Sequence, residues 1–214
     1  MRNLPLRSNV STLKKKKIQT RLSSADRRAQ LIAVACAVFA KHGYDAASME
    51  EVAREAGVSK PVVYEHFGGK EGLYAVVLDR EISTVVDHVV RGISQGGARE
   101  RFSGAVVQFL AYAQERPDGF AVLTRDPPRE QARGGIAQVV AELSDRVGEV
   151  FAQELKRVGL NPKLSGLYAN ALIGMVTQVG HWWMENPHMA KGDVAKHVIA
   201  LGWMGLRHLP KDPK

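Results

Sequence analysis

With 214 residues, 45% of them hydrophobic, the chain is long enough to bury a core of one or two domains, and its net charge is +8. No apolar stretch approaches the roughly 20 residues that span a bilayer, and the basic N-terminus lacks the apolar run of a secretory signal, so we expect a cytoplasmic protein without a membrane segment. The single cysteine, Cys36, excludes an intramolecular disulfide, and its apolar surroundings predict a buried, inert thiol.

The excess positive charge lies entirely at the N-terminus. Residues 1 to 28 contain nine Lys or Arg and one acid, whereas the other 186 residues hold 21 basic and 21 acidic side chains. A tail with four consecutive lysines does not fold on its own, so residues 1–23 are predicted to form a basic, flexible arm. Such an arm can follow phosphates or enter a minor groove of a nucleic acid. A solvated tail that only aids solubility is the alternative.

The first predicted helix runs from Ala25 to His42 and ends at Gly43. Its apolar residues recur at steps of three and four, which is the period of an amphipathic helix. These residues are Leu31, Ile32, Ala35, Val38 and Phe39.

Residues 48 to 71 read SMEEVAREAGVSKPVVYEHFGGKE, which predicts two short helices separated by a glycine turn. Ser48 and Glu51 form a capping box at the start of the first helix, and Gly57 supplies the left-handed residue that ends it. Ser59 is the natural N-cap of the second helix. Helices this short require a larger element to hold them, so the segment predicts a helix-turn-helix packed on the preceding helix.

The run L-I-A-V-A-C-A-V-F-A-K-H-G-Y at residues 31 to 44, followed in order by V-A-x-x-A-G-V-S, V-Y-x-H-F and K-E, resembles the DNA-binding domain of the tetracycline-repressor (TetR) family of bacterial regulators. The resemblance implies an all-α fold with an N-terminal three-helix helix-turn-helix DNA-binding domain at residues 24–70. It also implies a C-terminal helical ligand-binding and dimerisation domain at residues 71–209, with a tail at 210–214. We therefore expect a regulator associated with the nucleoid when bound to DNA, without a cofactor and without enzymatic activity.

One departure from the family pattern lies at the junction of the two domains. Where the family usually carries Ser or Asn before Lys70, this chain has Gly69, preceded by Gly68 and followed by Gly72 inside the next helix. Glycine within a helix costs roughly 1 kcal/mol relative to alanine. We therefore expect a loose start of this helix, which would act as a hinge.

The first residues of a recognition helix read base edges in the major groove, while neighbouring groups bind the DNA backbone. Lys60 can donate to guanine O6/N7 or to a phosphate, and a thymine methyl can be contacted by apolar side chains. The predicted base-reading residues are Ser59, Lys60, Pro61 and Val62. The resemblance and the position beside the arm imply backbone contacts from Ser48, Tyr64, His66, Lys70, Arg27 and Arg28. A core tyrosine at position 64 and a plain surface histidine at position 66 are the alternatives.

The remaining chain has no recognisable motif, but its apolar periodicity predicts a helical body. Helices are expected at residues 71–93, 102–113 and 136–155. Between them, residues 120–124 are predicted to form only a short turn, because prolines precede and follow them.

The last two predicted helices, residues 164–184 and 194–209, are apolar on nearly every face. A helix of this kind must be buried on both sides. Together the two helices predict a four-helix interface across the two-fold axis of a homodimer. Burial inside a monomeric core is the alternative.

In the family, the body encloses a pocket for a small effector that is usually lined by aromatic residues. The candidates here are Phe102, Phe109, Tyr112, Phe120, Phe151, Tyr168, Met175 and Trp183. Because few buried charges are evident, the sequence predicts an apolar or aromatic effector held by one or two hydrogen bonds, from Tyr112, Asn170 or Gln178. Plain core packing is the alternative for each residue.

Other chemistries find little support in the sequence. The four histidines of the C-terminal third, His181, His188, His197 and His208, lack the i, i+4 spacing of a helical metal site, so no metal is expected. No nucleotide-binding or nucleophile motif occurs. The sequence therefore predicts a homodimeric repressor that a small effector releases from a palindromic DNA operator. A constitutive DNA-binding or architectural protein without an effector is the alternative.

Overall fold

The computed structural model describes residues 22–125, 141–142, 152–153, 155–157 and 159–209, and the regular elements within them are helices. Most of the predicted helix 136–155, residues 1–21 of the predicted arm 1–23 and the tail at 210–214 lie outside the described residues. A single 3-10 turn spans Pro162–Leu164. The α-helices are α1 Ser24–Ala46, α2 Met49–Ala56, α3 Lys60–Phe67, α4 Lys70–Ile93, α5 Ala98–Glu115, α6 Pro117–Thr124, α7 Ser165–Glu185 and α8 Lys191–Arg207.

Helix α1 begins where a serine caps it and bends where a glycine interrupts it. The Ser23 hydroxyl accepts a hydrogen bond from the Asp26 N–H at 3.1 Å. Near its end, Gly43 has a φ of 74° and a ψ of 173°, which kinks the helix at the predicted position. The apolar stripe of α1, including Leu31 and Phe39, is buried as expected.

Helices α2 and α3 have the predicted bounds, but their caps differ in detail from the prediction. The Ser48 hydroxyl accepts from the Glu51 N–H at 3.1 Å, whereas the Glu51 carboxylate lies 3.1 Å from His42 Nε2 rather than closing a capping box. Ser59 occupies the N-cap of α3 without a capping side-chain hydrogen bond. Gly57 ends α2 in the left-handed conformation, with a φ of 66°.

The start of α4 is tighter than its glycines predict. A Cβ on Gly72 would lie 2.2 Å from the carbonyl oxygen of Phe67, so a side chain does not fit there. Gly72 therefore allows α3 and α4 to approach closely, and the loose helix start that would act as a hinge stays a prediction. The aromatic rings of Phe39 and Tyr44 pack against Tyr74 on α4, each with ring centroids 4.9 Å apart, and hold the same junction.

Residues 117–124 form a helix rather than the predicted short turn. Pro117 stands at the first position of α6, where a missing N–H breaks no helical bond and the fixed φ suits the helix. The prediction of a short turn is wrong here, because the proline that ends one helix also starts the next. The predicted DNA-binding domain, residues 24–70, is called the head below, and residues 71–209 are called the body. Helix α6 packs on α1, α4 and α5, so it connects the body directly to the first helix of the head.

Candidate nucleic-acid interface and the body behind it

Helix α3, the predicted recognition helix, presents one face to solvent and one to the core. Val63 is fully buried, whereas Lys60 and Tyr64, one helical turn apart, are exposed. Tyr64 has 40% of its surface accessible, so it is not the core tyrosine that was the alternative interpretation. An exposed, flat side chain beside an exposed cation is suited to contact a DNA backbone.

The structure describes all ten residues predicted to contact DNA. Five are exposed: Arg28, Ser59, Lys60, Pro61 and Tyr64. The other five are half-buried: Arg27, Ser48, Val62, His66 and Lys70. Because the Ser48 hydroxyl is already an acceptor for the Glu51 N–H, its own hydrogen remains to be donated to a phosphate.

The two lysines at this surface already have partners among residues 24–70. Lys60 Nζ donates to the Glu50 carboxylate and lies 5.5 Å from the centroid of the Tyr64 ring. Lys70 Nζ donates to the Asp45 carbonyl at 2.9 Å and lies 4.6 Å from the centroid of the Tyr44 ring. An ammonium group has three donors, so both lysines retain hydrogens for DNA.

The two arginines at the start of α1 differ in their contacts. Arg28 stacks over the Phe67 ring of α3, with 5.0 Å from its Cζ to the ring centroid. Arg27 Nη1 donates to Gln30 Oε1 at 2.7 Å. The guanidinium of Arg28 is thereby held beside the end of the recognition helix.

A buried carboxylate, Glu81 of α4, connects the head to the body and was not predicted. Its surface is 0% accessible, and two nitrogens of Arg116 donate to its two oxygens. The Tyr112 hydroxyl also donates to Oε2, at 3.2 Å, and Cys36 Sγ of α1 lies 4.0 Å from Oε1. The expectation of few buried charges is wrong here, because Glu81 is a charge with no access to water.

A signal in the sequence could have identified Glu81. It lies four residues after Val77 and four before Val85, both buried, so it occupies the apolar face of α4. An acid on such a face requires a partner, because an unpaired buried charge is costly. Gly119 of α6 packs directly against this carboxylate. A Cβ at this position would lie 2.1 Å from Glu81 Oε2, so a side chain does not fit there.

The ionisable groups around Glu81 have shifted pKa values. Burial, with a further contribution from the Glu81 charge, raises the pKa of the Cys36 thiol to about 12. Burial, together with Glu81, also raises the pKa of the Tyr112 hydroxyl well above its usual range. The hydrogen bond to Glu81 raises the pKa of the Arg116 guanidinium. Cys36 is therefore a protonated, unreactive thiol, as the sequence predicts.

The predicted effector-pocket residues pack together in two groups within the body. Phe109 and Phe120 stack edge to face at 6.0 Å and both lie against Gly180 of α7. Phe102 and Met175 both lie against Gly202 of α8. Of the remaining candidates, Tyr112 and Trp183 are buried, Tyr168 is half-buried, and Phe151 lies outside the described residues.

Two of the three polar groups predicted to bind the effector have other partners, and the third, Gln178, is exposed. The Tyr112 hydroxyl donates to Glu81, and the exposed Asn170 donates to the Gly166 carbonyl at 2.8 Å. Two other polar atoms, His88 Nδ1 and Thr177 Oγ1, are buried and find no hydrogen-bond partner among the described residues. Buried polar atoms are normally paired, so these two are available to a ligand or to water.

Large apolar side chains remain exposed on the last two helices. On α8, Leu201 and Met204 lie three residues apart on one face, and on α7 Leu167 and Trp182 are also exposed. Their accessible fractions range from 44% to 68%, although the rest of both helices contributes buried residues to the core. Exposed apolar side chains on the two helices predicted to form the dimer interface leave surface that a partner could cover.

Two other kinds of site, a membrane span and a metal centre, are absent from the described residues. No described helix is long and apolar enough to cross a membrane. In the same part of the chain, no three His, Cys, Asp or Glu side chains come together in a way that would hold a metal ion.

Comparisons with known proteins identify the family. The sequence profile described as bacterial regulatory proteins of the tetR family matches residues 31–77, and that described as the tetracyclin repressor-like C-terminal domain matches residues 98–205. The transcriptional activator FasR of Mycolicibacterium smegmatis is 29% identical over 198 residues, which cover 89% of this chain and 87% of FasR.

Solved structures agree with this assignment. A TetR-like transcriptional regulator from Rhodococcus sp. RHA1 superposes with a TM-score of 0.71 at 27% identity, covering 88% of this chain and 100% of that one. The fatty acid degradation regulator FadR of Bacillus halodurans has a TM-score of 0.70 at 20% identity over 84% of this chain and 99% of its own, and shares the fold. The chain belongs to the TetR family of DNA-binding transcriptional regulators, and members of this family are not enzymes.

Proposed function

We propose that this regulator binds a palindromic operator as a homodimer and that a small apolar or aromatic effector controls its release. The observation that carries the proposal is the exposure of Lys60 and Tyr64, one turn apart on α3, behind which Val63 anchors the helix in the core. Residues 24–70 serve as the reading head and residues 71–209 as the body. Operator binding places the protein with the nucleoid in the bacterial cytoplasm.

Within the head, the base-reading residues are Ser59, Lys60, Pro61 and Val62. The backbone-binding residues are Arg27, Arg28, Ser48, Tyr64, His66 and Lys70. A single head with so few base contacts discriminates poorly between sequences. Two heads placed about 34 Å apart, one helical turn of DNA, read one palindrome.

The dimer forms through α7 and α8. Leu201 and Met204 of α8, with Leu167 and Trp182 of α7, form the apolar surface that a second copy would cover. Burial of such side chains stabilises an isologous interface between two identical patches. A charge on this surface, Leu201→Glu, is expected to yield monomers in sedimentation analysis. Monomers of Leu201→Glu with unchanged operator affinity would contradict the need for a dimer.

The effector binds among the aromatic residues of the body, where the His88 ring lies 5.8 Å from the ring of Tyr112. The unpartnered Nδ1 atom of His88 offers a hydrogen bond to a polar group on an otherwise apolar molecule, and Thr177 Oγ1 is a second unpartnered atom of the body. Contacts of α6 with α1, and the Glu81 site between them, provide the route from body to head. A tenfold to hundredfold change in operator affinity requires about 1.4 to 2.7 kcal/mol of coupling.

The sign of regulation has two candidates. Release from an operator by an effector is the mode of a repressor, which is the function we favour from the family resemblance. The relative FasR is named a transcriptional activator, and this name favours activation as the second candidate. Transcription from a promoter that carries the operator, with and without the protein, distinguishes the two.

Selection of bound duplexes from random DNA tests the operator proposal. The wild-type chain is expected to enrich a palindrome, and both Lys60→Ala and Tyr64→Ala are expected to lose the enrichment. Lys196→Ala is the matched control, because Lys196 is also exposed and paired, with Asp193 at 2.9 Å, but lies on α8. Enrichment of the same palindrome by all four proteins would contradict the assignment of α3 as the reading helix.

A further inference from the structure

An acidic side chain stands at the front of the reading head, where DNA is expected to approach. Glu50 lies in the first turn of α2, and its Oε1 accepts a hydrogen bond from Nζ of Lys60, the first residue of α3. Both side chains are exposed. The hydrogen bond lowers the pKa of Glu50 and raises the pKa of Lys60, so both groups are charged at neutral pH.

The ammonium of Lys60 is held from two sides. Glu50 binds it from α2, and the ring of Tyr64 lies beneath it, 5.5 Å from Nζ to the ring centroid. A free lysine on a flexible stem would sample many positions, because its side chain has several rotatable bonds. Here Glu50 and Tyr64 hold the Lys60 ammonium beside the turn between α2 and α3.

The Glu50 carboxylate changes how strongly Lys60 binds the phosphates of DNA relative to the base edges. A free lysine binds any phosphate, and such contacts carry no sequence information. Glu50 repels a phosphate that approaches Lys60 and offsets part of its attraction. A guanine edge is uncharged and offers O6 and N7 as acceptors to Lys60, and the neighbouring carboxylate can accept from cytosine N4.

From these contacts we infer that Glu50 is a specificity-determining residue, which positions Lys60 for a guanine edge and against a phosphate. The inference rests on the proposed reading of DNA by α3. It assigns a function in recognition to an acid that would otherwise only weaken DNA binding.

The test compares Glu50→Gln with Glu55→Gln. Glu55 is the matched control because it is also an exposed acid of α2, but its partner is Arg54 within α2, at 3.0 Å. Affinities for the selected operator and for a scrambled duplex of equal length are measured by fluorescence anisotropy at several salt concentrations. Thermal unfolding of each variant verifies that it is folded.

In Glu50→Gln, affinity for the scrambled duplex is expected to rise about tenfold and affinity for the operator much less, so that their ratio falls about tenfold. The salt dependence of scrambled binding should steepen by about 0.9 in the slope of log K against log salt, the value for one added phosphate contact. Glu55→Gln should leave the ratio within about twofold of wild type.

A second pair of variants distinguishes positioning of Lys60 by Glu50 from general repulsion of DNA by the Glu50 charge. In a Lys60→Ala background, Glu50→Gln should no longer alter the ratio, because no ammonium remains to be positioned. If Glu50→Gln strengthens binding to both duplexes by the same factor, or changes the ratio equally without Lys60, the inference is wrong. Failure of the wild-type protein to prefer its selected operator would instead overturn the proposed function, and the inference with it.

Discussion

Two ion pairs, one at the front of the head and one behind it, differ in nearly every physical respect. The Lys60–Glu50 pair is exposed, joins α2 to α3 and lies where DNA is expected. The Arg116–Glu81 pair has a carboxylate without solvent access, is reinforced by Tyr112 and is surrounded by α1, α4, α5 and α6. The first pair can exchange one partner for DNA at little cost, whereas the second cannot lose a partner without leaving a buried charge.

This difference separates recognition from the framework that supports it. Exposed pairs contribute little to the free energy of unfolding and can therefore be selected for binding. A buried pair fixes the relative position of the helices that supply it, which suits a site between the head and the body. Variants of the two pairs should therefore affect different measurements.

The largest expected effect follows from Arg116→Ala. It leaves Glu81 buried without its main partner, and the free energy of unfolding should fall by about 3 kcal/mol. Urea unfolding followed by circular dichroism, at one protein concentration, measures the change. Arg80→Ala is the control, because Arg80 Nε lies 3.9 Å from the same carboxylate and should cost less than about 1 kcal/mol. Equal losses of unfolding free energy in both variants would show that Arg116 is not the main partner of Glu81.

A somewhat smaller loss is expected from Gly119→Ala. The new methyl group would lie 2.1 Å from Glu81 Oε2, and Arg116 and Tyr112 hold that oxygen in place, so we expect a cost of about 2 kcal/mol. The same substitution at Gly192 of α8, which meets no atom within 4 Å, should be neutral or slightly stabilising. Thermal melts of the two variants make the comparison, and similar melting temperatures would count against a tightly packed Glu81 site.

Lys60→Ala should weaken DNA binding without lowering the stability of the protein, unlike the substitutions at the Glu81 site. Its unfolding transition should coincide with that of wild type, because the pair it removes is exposed. Operator affinity should fall about tenfold, the loss of one good base contact. Urea unfolding and anisotropy titration of the same preparation check both expectations. A destabilised variant with normal operator affinity would reverse the roles assigned to the two pairs.

The last prediction concerns the reactivity of the Cys36 thiol, which lies beside Glu81. Because burial raises its pKa to about 12, the thiol should resist alkylation by iodoacetamide in the native protein at pH 8 and react readily in urea. Mass spectrometry of the alkylated protein measures this. Rapid alkylation of the native protein would show that the site around Glu81 opens to solvent.

The parts of the molecule governed by local chemistry were predictable from the sequence. Glycine φ values, the Ser48 cap and the apolar stripe of α1 follow from neighbouring residues, so the helix-turn-helix and the all-helical class are confirmed. Pro117 was misinterpreted because the same residue suits both the end of one helix and the start of the next.

Contacts between residues distant in the chain could not be predicted in this way. Glu81 and Arg116 are 35 positions apart, and only the packing of α4 on α5 and α6 brings them together. The Lys60–Glu50 pair spans the turn between α2 and α3, so its existence depends on the angle between two helices. Periodicity places a residue on a face of its helix and does not identify the residue that faces it.

The most direct test of the account is the number of chains bound to one operator. Titration of the selected palindrome and of a half-site, at one salt concentration, is followed by sedimentation to give the stoichiometry. We expect two chains on each palindrome and a half-site that binds about 100-fold more weakly. One chain per duplex, with equal affinity for palindrome and half-site, would contradict the claim that two α3 helices of a dimer read the DNA together.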